Sequence, residues 1–178
     1  MKIVASTKLT KAQRAMEESR QYGKANNQVF DEAETKPLEG ENKKTLLIVC
    51  SSDKGLCGGI HSGLTRATRR LMTENPADYE LVILGEKCKA QLSRSNAKDM
   101  ALSFSGVGKD VPTFADATAI ADQVTLLPGD YSPIKILYNK FVNAQSYEPT
   151  VIEAFSEEAI KESRECARNK ILWSDTDI

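Results

Sequence analysis

The period of the apolar pattern changes once along this chain, and it changes across a stretch that cannot bury a core. Residues 32 to 44 carry Glu32, Glu34, Lys36, Pro37, Glu39, Gly40, Glu41, Asn42, Lys43 and Lys44. A segment this charged, broken by proline and glycine, reads as a linker. Before it, residues 1 to 33 hold no proline and follow helical spacing. After it, short apolar runs alternate with helical segments. The expected organisation is a coiled-coil-type helix over 1–33, a linker over 34–44, a globular domain over 45–155 and a charged tail over 156–178.

In the first helix Met1, Ala5, Leu9, Ala12 and Met16 fall within an arc of about 80° at 100° per residue. Surface helices of globular domains show a wider apolar stripe. A narrow one of small or flexible side chains suits a seam against a single partner helix. No second long helix is legible in this chain to fill that seam. Lys8, Lys11 and Arg14 lie beside it, covering roughly 120°. They form either a solvated basic face or a contact surface. Exposed ion pairs contribute about 0–1 kcal/mol each, which suits a contact that is made and broken.

Beyond the linker, Thr45–Cys50 is short, apolar and partly β-branched, the mark of a buried strand. A glycine-rich loop and a helix over about 58–74 follow. Glu80–Leu84 is a second strand, and Gly85 opens a helix to about Arg94. Met100–Phe104 is a third strand. Thr113 sits at a helix cap with Asp116 three residues on, and that helix runs to about Leu127, where Pro128-Gly129 stops it. Ile134–Phe141 and Thr150–Phe155 are the last strands, joined through a turn region at Asn143–Pro149. Strand–helix alternation implies crossover units and a parallel sheet with helices on both faces. The short final link implies an antiparallel hairpin. The fold class is therefore α/β: a Rossmann-like three-layer domain with a mostly parallel sheet and a C-terminal antiparallel hairpin, preceded by the long helix. The tail opens at Ser156-Glu157-Glu158 as a short helix.

Lys plus Arg is 24 and Asp plus Glu is 25, a net charge of −1. That balance gives no general attraction to nucleic acid or anionic membrane. The longest clean apolar run, Leu46–Cys50, falls far short of the roughly 20 residues a spanning helix needs. The N-terminus lacks the short apolar core of a secretory signal, and Glu17 and Glu18 speak against a transit peptide. Cys50, Cys57, Cys88 and Cys166 show no C-x-x-C spacing, and His61 is the single histidine. No zinc site is expected, and the cysteines read as reduced thiols.

The densest motif is Ser51-Ser52-Asp53-Lys54-Gly55-Leu56-Cys57-Gly58-Gly59-Ile60-His61-Ser62. It lies between a strand and a helix, where doubly wound folds bind phosphates. The dinucleotide and P-loop fingerprints are both absent, and Asp53 would repel a phosphate. Glu86 stands where a ribose-binding acid could sit. The structural reading is that the glycines permit a tight left-handed turn and close packing. Cys57, near a helix N-terminus, could favour a thiolate, with packing the plainer role. His61 reads as a capping or buried residue, and Asp53-Lys54 as a pair that holds the loop or meets a neighbour.

Ser52-Asp53-Lys54-Gly55-Leu56-Cys57-Gly58-Gly59 resembles the signature of the ATP synthase gamma subunits. Met1-Lys2-Ile3-Val4-Ala5-Ser6-Thr7-Lys8 is similar to that family's N-terminal coiled-coil helix. Val107-Gly108-Lys109-Asp110-Val111-Pro112-Thr113-Phe114 and Tyr138-Asn139-Lys140-Phe141 resemble later segments, in the same order. The wording at Gly59–Ser62 and at Pro112–Phe114 is closer to mitochondrial than bacterial members. The resemblance implies a torque-transmitting, non-catalytic rotor part with no cofactor. Its implied partners are the alpha and beta subunits of the catalytic ring, the delta and epsilon stalk subunits and the c-ring, with membrane association only through the complex. The implied location is the matrix side of the mitochondrial inner membrane, or the cytoplasmic side of a bacterial plasma membrane. Met1, Lys2, Val4, Lys8, Lys11 and Arg14 become candidate interface residues on the axle, and Ser52–Gly59 the signature loop. Against that family, the chain is expected to begin inside the N-terminal helix and to stop before a long C-terminal one. The rival expectation is a small Rossmann-type enzyme acting on a nucleotide or phosphorylated substrate.

Overall fold

A computed structural model describes residues 2–32, 35, 44–74, 78–107, 112–143, 145–156, 159–161 and 163. The chain divides into two compact units, Met1–Lys36 with Glu157–Ile178, and Pro37–Ser156. In the first unit, helix α1 spans Lys2–Glu32. Most of its described side chains are exposed, Leu9 and Tyr22 among them, while Gln13, Met16 and Arg20 are half-buried. The Thr35 hydroxyl donates to Ser163 Oγ at 3.2 Å, and Ala159 is buried. Residues 159–161 and 163 are helical, where the sequence places the short helix of the tail. The linker lies almost wholly outside the described residues.

The second unit is built from β1 (Lys44–Cys50), α2 (Ile60–Glu74), β2 (Tyr79–Leu84), α3 (Glu86–Leu92), a 3-10 turn (Ala97–Asp99), β3 (Met100–Phe104), α4 (Phe114–Thr125), β4 (Tyr131–Asn143) and β5 (Ser146–Ala154). Its five strands form one sheet in the order β3-β2-β1-β4-β5. The β1–β2, β2–β3 and β1–β4 pairs are parallel, and β4–β5 is antiparallel. The expected mostly parallel sheet with a closing hairpin is the architecture found. The chain steps outward from β1 to β3, then crosses back to β4 on the other side of β1. Right-handed crossovers in opposite directions place their helices on opposite faces. So α2 and α3 cover one face, and α4 lies over the other.

Alternation along the strands sorts the core. Leu47 and Val49 of β1, Leu81 and Ile83 of β2 and Leu137 of β4 point to the first face. There they pack with Leu64, Cys88 and Leu92 from α2 and α3, all at 0–1% exposure. Helix α2 buries His61, Leu64, Thr65 and Thr68, a spacing that makes one helical stripe. The two threonine hydroxyls donate to the carbonyls four residues back, at 2.9 and 3.0 Å. They therefore enter the core with their polar groups satisfied. Helix α4 starts as the sequence predicts: Thr113 and Asp116 form a complete capping box. The Asp116 carboxyl is held below its usual range by the Thr113 hydroxyl and then the Thr113 N–H.

Two strand starts differ most from the sequence reading. β4 begins at Tyr131, not Ile134, because Pro133 sits where the register with β1 shifts between Lys44 and Leu46, a place where a strand tolerates proline. β5 begins at Ser146, so Pro149, read as part of a turn, lies inside the strand opposite Asn139. β5 is the sheet edge, where a residue without an N–H can be accommodated.

Candidate functional site

The order of strands reverses at β1, so the crevice beside its carboxyl end is where a doubly wound sheet would take a ligand. The Ser52–Gly59 loop fills that position. Its course is set by three ties to neighbouring elements. The Ser51 N–H donates to Leu84 O at 2.9 Å, continuing the β1–β2 ladder. The Asp53 N–H donates to Val107 O at 3.0 Å. The Asp53 carboxylate accepts from Glu86 N–H at 2.7 Å through Oδ1, and from Gly106 N–H through Oδ2. One side chain thus joins the ends of β1, β2 and β3.

Those two amides are the donors an anion in the crevice would need. Asp53 already holds both, and its own negative charge opposes a second anion. The crossing is also tight. Gly85 has φ +96°, and a Cβ there would stand 2.6 Å from the Ser52 backbone nitrogen. Only glycine permits that approach.

His61 locks the loop from the other side. Its Nε2 is 2.8 Å from Lys54 O, and its Nδ1 is 3.0 Å from Ser51 Oγ. A carbonyl only accepts, so Nε2 carries the proton and Nδ1 accepts from the Ser51 hydroxyl in the neutral ring. At 8% exposure, His61 is a satisfied structural residue. The Cys57 thiol donates back into the loop, to Gly55 O at 3.2 Å. Cys50 ends β1 on the sheet's second face, and burial pushes its thiol up to about 11, which makes it a poor nucleophile at neutral pH.

Three residues to which the sequence reading gave no role at this loop complete the frame. Asn139 donates through Nδ2 to Ile60 O at 3.2 Å. The Tyr147 hydroxyl lies 3.3 Å from where a Cβ on Gly59 would be, so the β4–β5 hairpin braces the start of α2. Gly106 supplies one of the two amides held by Asp53. These partners are 53 to 88 residues away in sequence, beyond the reach of any local pattern. Lys54, Gly55, Leu56, Gly58 and Gly59 are exposed, and Ser52, Asp53 and Cys57 are half-buried.

The other candidate residues sit on α1. Lys8, Lys11 and Arg14 are all exposed there. Met1 and the side chains of Lys2 and Val4 lie outside the described residues. Among the described residues, no cluster of His, Cys, Asp and Glu could hold a metal ion, and no helix is long and apolar enough to cross a membrane.

A family model described as ATP synthase matches residues 1–175. The chain belongs to the ATP synthase gamma-subunit family. The mitochondrial gamma subunit of Pichia angusta is 47% identical over 163 residues, covering 92% of this chain and 60% of that protein. That of Yarrowia lipolytica is 49% identical over 166 residues, covering 92% and 56%. Among solved structures, a central-stalk and c-ring chain of Tetrahymena thermophila mitochondrial ATP synthase superposes with a TM-score of 0.63. The two are 32% identical, over 74% of this chain and 58% of that one. A Euglena gracilis ATP synthase chain at 18% identity and a TM-score of 0.59 shares the fold. The chain spans 56–60% of the length of the Pichia and Yarrowia proteins.

Proposed function

We propose that this gamma-family chain is a rotor part of a rotary ATP synthase, without a catalytic site of its own. It supplies the globular head and one helix of the central stalk, and carries torque between the proton-driven c-ring and the alpha and beta subunits. Delta and epsilon subunits are its companions at the foot of the stalk. Its place is the matrix side of the mitochondrial inner membrane, as the names of its relatives favour. In this reading the four sequence segments of the chain are an axle helix, a linker, a head and a tail. Rotation works by stabilising different states of neighbouring chains in turn.

The observation that carries the non-catalytic reading is Asp53. Where a Rossmann-like enzyme would bind its phosphate, this chain places a carboxylate already bonded to Glu86 N–H and Gly106 N–H. Lys8, Lys11 and Arg14 on α1 fit contacts with acidic loops, each weak enough to break as the shaft turns.

Thermal unfolding separates this from the enzyme reading. A nucleotide at 1 mM with a dissociation constant near 10 μM would stabilise the native chain by about 2.7 kcal/mol, or about 5–10 °C for a domain of this size. The expected result with ATP, ADP or NAD is no shift. A rise of that size would move the assignment to a nucleotide-binding enzyme.

A further inference from the structure

Helix α4 roofs its side of the sheet without closing on it. Between the two lies a cavity of about 760 Å³. Protein interiors hold few voids larger than a water molecule, whereas sites for small organic ligands run from about 300 to 1,000 Å³. The floor is Ile48 and Cys50 of β1, Leu84 of β2 and Ile136 of β4. The roof is Ala117, Ile120, Ala121 and Val124 of α4. These walls give ordered water almost nothing to bond, and a buried water needs two to four polar partners.

The two ends of the space differ. Toward the start of β4 the lining is Val124, Ile134 and Ala154, with Thr125, whose hydroxyl is satisfied by Ala121 O and Asp122 O at 3.2 and 2.8 Å. Toward the carboxyl ends of β1 and β3 it turns polar, with Ser105, Thr113 and Asp116. From Asp116 to Val124 the helix rises roughly 12 Å. Among the described residues that line the space, Asp116 is the one that carries a charge. Its Oδ2 accepts from the Thr113 N–H at 2.9 Å and from the Thr113 hydroxyl at 2.7 Å. That bonding favours the ionised carboxyl. Nothing basic answers it on the same helix, since Phe114–Thr125 carries Asp116 and Asp122 and no Lys, Arg or His. Asp53, bonded to Gly106 N–H beside Ser105, adds negative charge near the same end.

We propose that this cavity is a binding site for an amphipathic cation, an alkyl- or arylalkylammonium compound, with its apolar body along α4 and its charged head at Asp116. Burial of each methylene supplies the attraction, and the carboxylate selects the sign of the head. A fatty acid would set its own carboxylate against Asp116 and Asp53. A plain hydrocarbon would leave the charged end unused. The site lies within the head and does not depend on the rotor reading.

The test titrates the full chain with n-decylammonium chloride, kept below its aggregation threshold, in a calorimeter. One saturable site is expected. Its occupancy should slow alkylation of Cys50 by N-ethylmaleimide by about threefold or more, because a filled cavity covers that thiol. Peptide mass spectrometry reads this, with Cys57 as the unprotected control. Decanoate should bind about tenfold more weakly, since repulsion replaces attraction at the head. Asp116→Asn removes the charge and keeps an acceptor for the Thr113 cap, so it should shrink that preference to about threefold or less. Val124→Phe fills the apolar end and should weaken both ligands about tenfold by displacing methylenes from the cavity. No saturable site, an unchanged rate at Cys50, decanoate binding as tightly as decylammonium, or undiminished binding in a folded Val124→Phe would each overturn the proposal. The Cys50 readout in the parent chain decides even where Val124→Phe fails to fold.

Discussion

The two faces of the sheet are made by alternate residues of the same strands, yet they are finished very differently. On the face under α2 and α3, Leu47, Val49, Leu81 and Ile83 are at 0% exposure. On the face under α4, Leu46 and Val82 are just as deeply buried, but Ile48, Cys50, Leu84, Ile134 and Ile136 are only partly covered and line a cavity of about 760 Å³ with Ile120 and Val124. Helix α4 itself has no buried residue. A short strand can present an apolar row to each side, but closure depends on how many helices the topology delivers. Two crossovers run one way from β1 and one runs back, so one face receives two helices and the other a single one. Burial follows connectivity here, not the composition of the strands.

The contrast can be broken most directly in the sealed core. Leu81→Ala should cost about 2–5 kcal/mol in a urea unfolding experiment, since removing buried methyl groups loses transfer free energy and leaves a void. Ile136→Ala, on the cavity face, should cost about 1–2 kcal/mol. Its side chain is already partly exposed, and the space beside it is already open. Equal losses at the two sites would mean that both faces are packed alike in solution.

A smaller effect concerns the polar end of the second face, where Lys44, Glu80 and Tyr131 meet. Lys44 Nζ stands 3.2 Å from Glu80 Oε1, and the Tyr131 hydroxyl donates to Glu80 Oε2. The Tyr131 hydroxyl, then Lys44, holds the Glu80 carboxyl below the ordinary carboxylate range against the opposing effect of burial. Burial, then Glu80, pushes the Tyr131 hydroxyl up to about 12 from 10.0. A raised acid contributes stability that is present below pH 10 and lost as pH climbs toward 12. A depressed carboxyl contributes stability that is present above its ordinary value of 4.5 and lost as pH falls through the lower folded one. Tyr131→Phe should therefore flatten the alkaline loss and soften the acid one. Both groups are half-buried and still reached by solvent, so the change should stay below about 1 kcal/mol at neutral pH. Melting temperature against pH for the two proteins checks it, and parallel curves would remove the cluster from the account.

Features with a local cause were legible beforehand. Thr45–Cys50 announced its strand by β-branching, Met100–Phe104 coincides with β3, and the Thr113–Asp116 cap marked the start of α4, because each signal lies within a few residues. Pro149 misled, because a proline marks a turn unless the strand is known to be an edge, and edge status belongs to the whole sheet. The partners of Asp53 were equally out of reach, since Glu86 and Gly106 come to it only when three strand ends converge. Leu56 looked like an ordinary member of a glycine-rich loop, and its positive φ of 58° emerges only once that loop is braced. The unevenness of the two faces is also a property of chain order rather than of any segment.

Pro149 has a consequence of its own. β5 is the last strand of the sheet, nine residues long, and an outer strand is the kind of template on which foreign strands can assemble. Pro149 puts a residue that cannot donate near its middle, and the exposed carboxylates of Glu148 and Glu153 add like charges to the strand. The head is thereby guarded against stacking with its own kind, a safeguard for any chain made in quantity before its proper neighbours arrive.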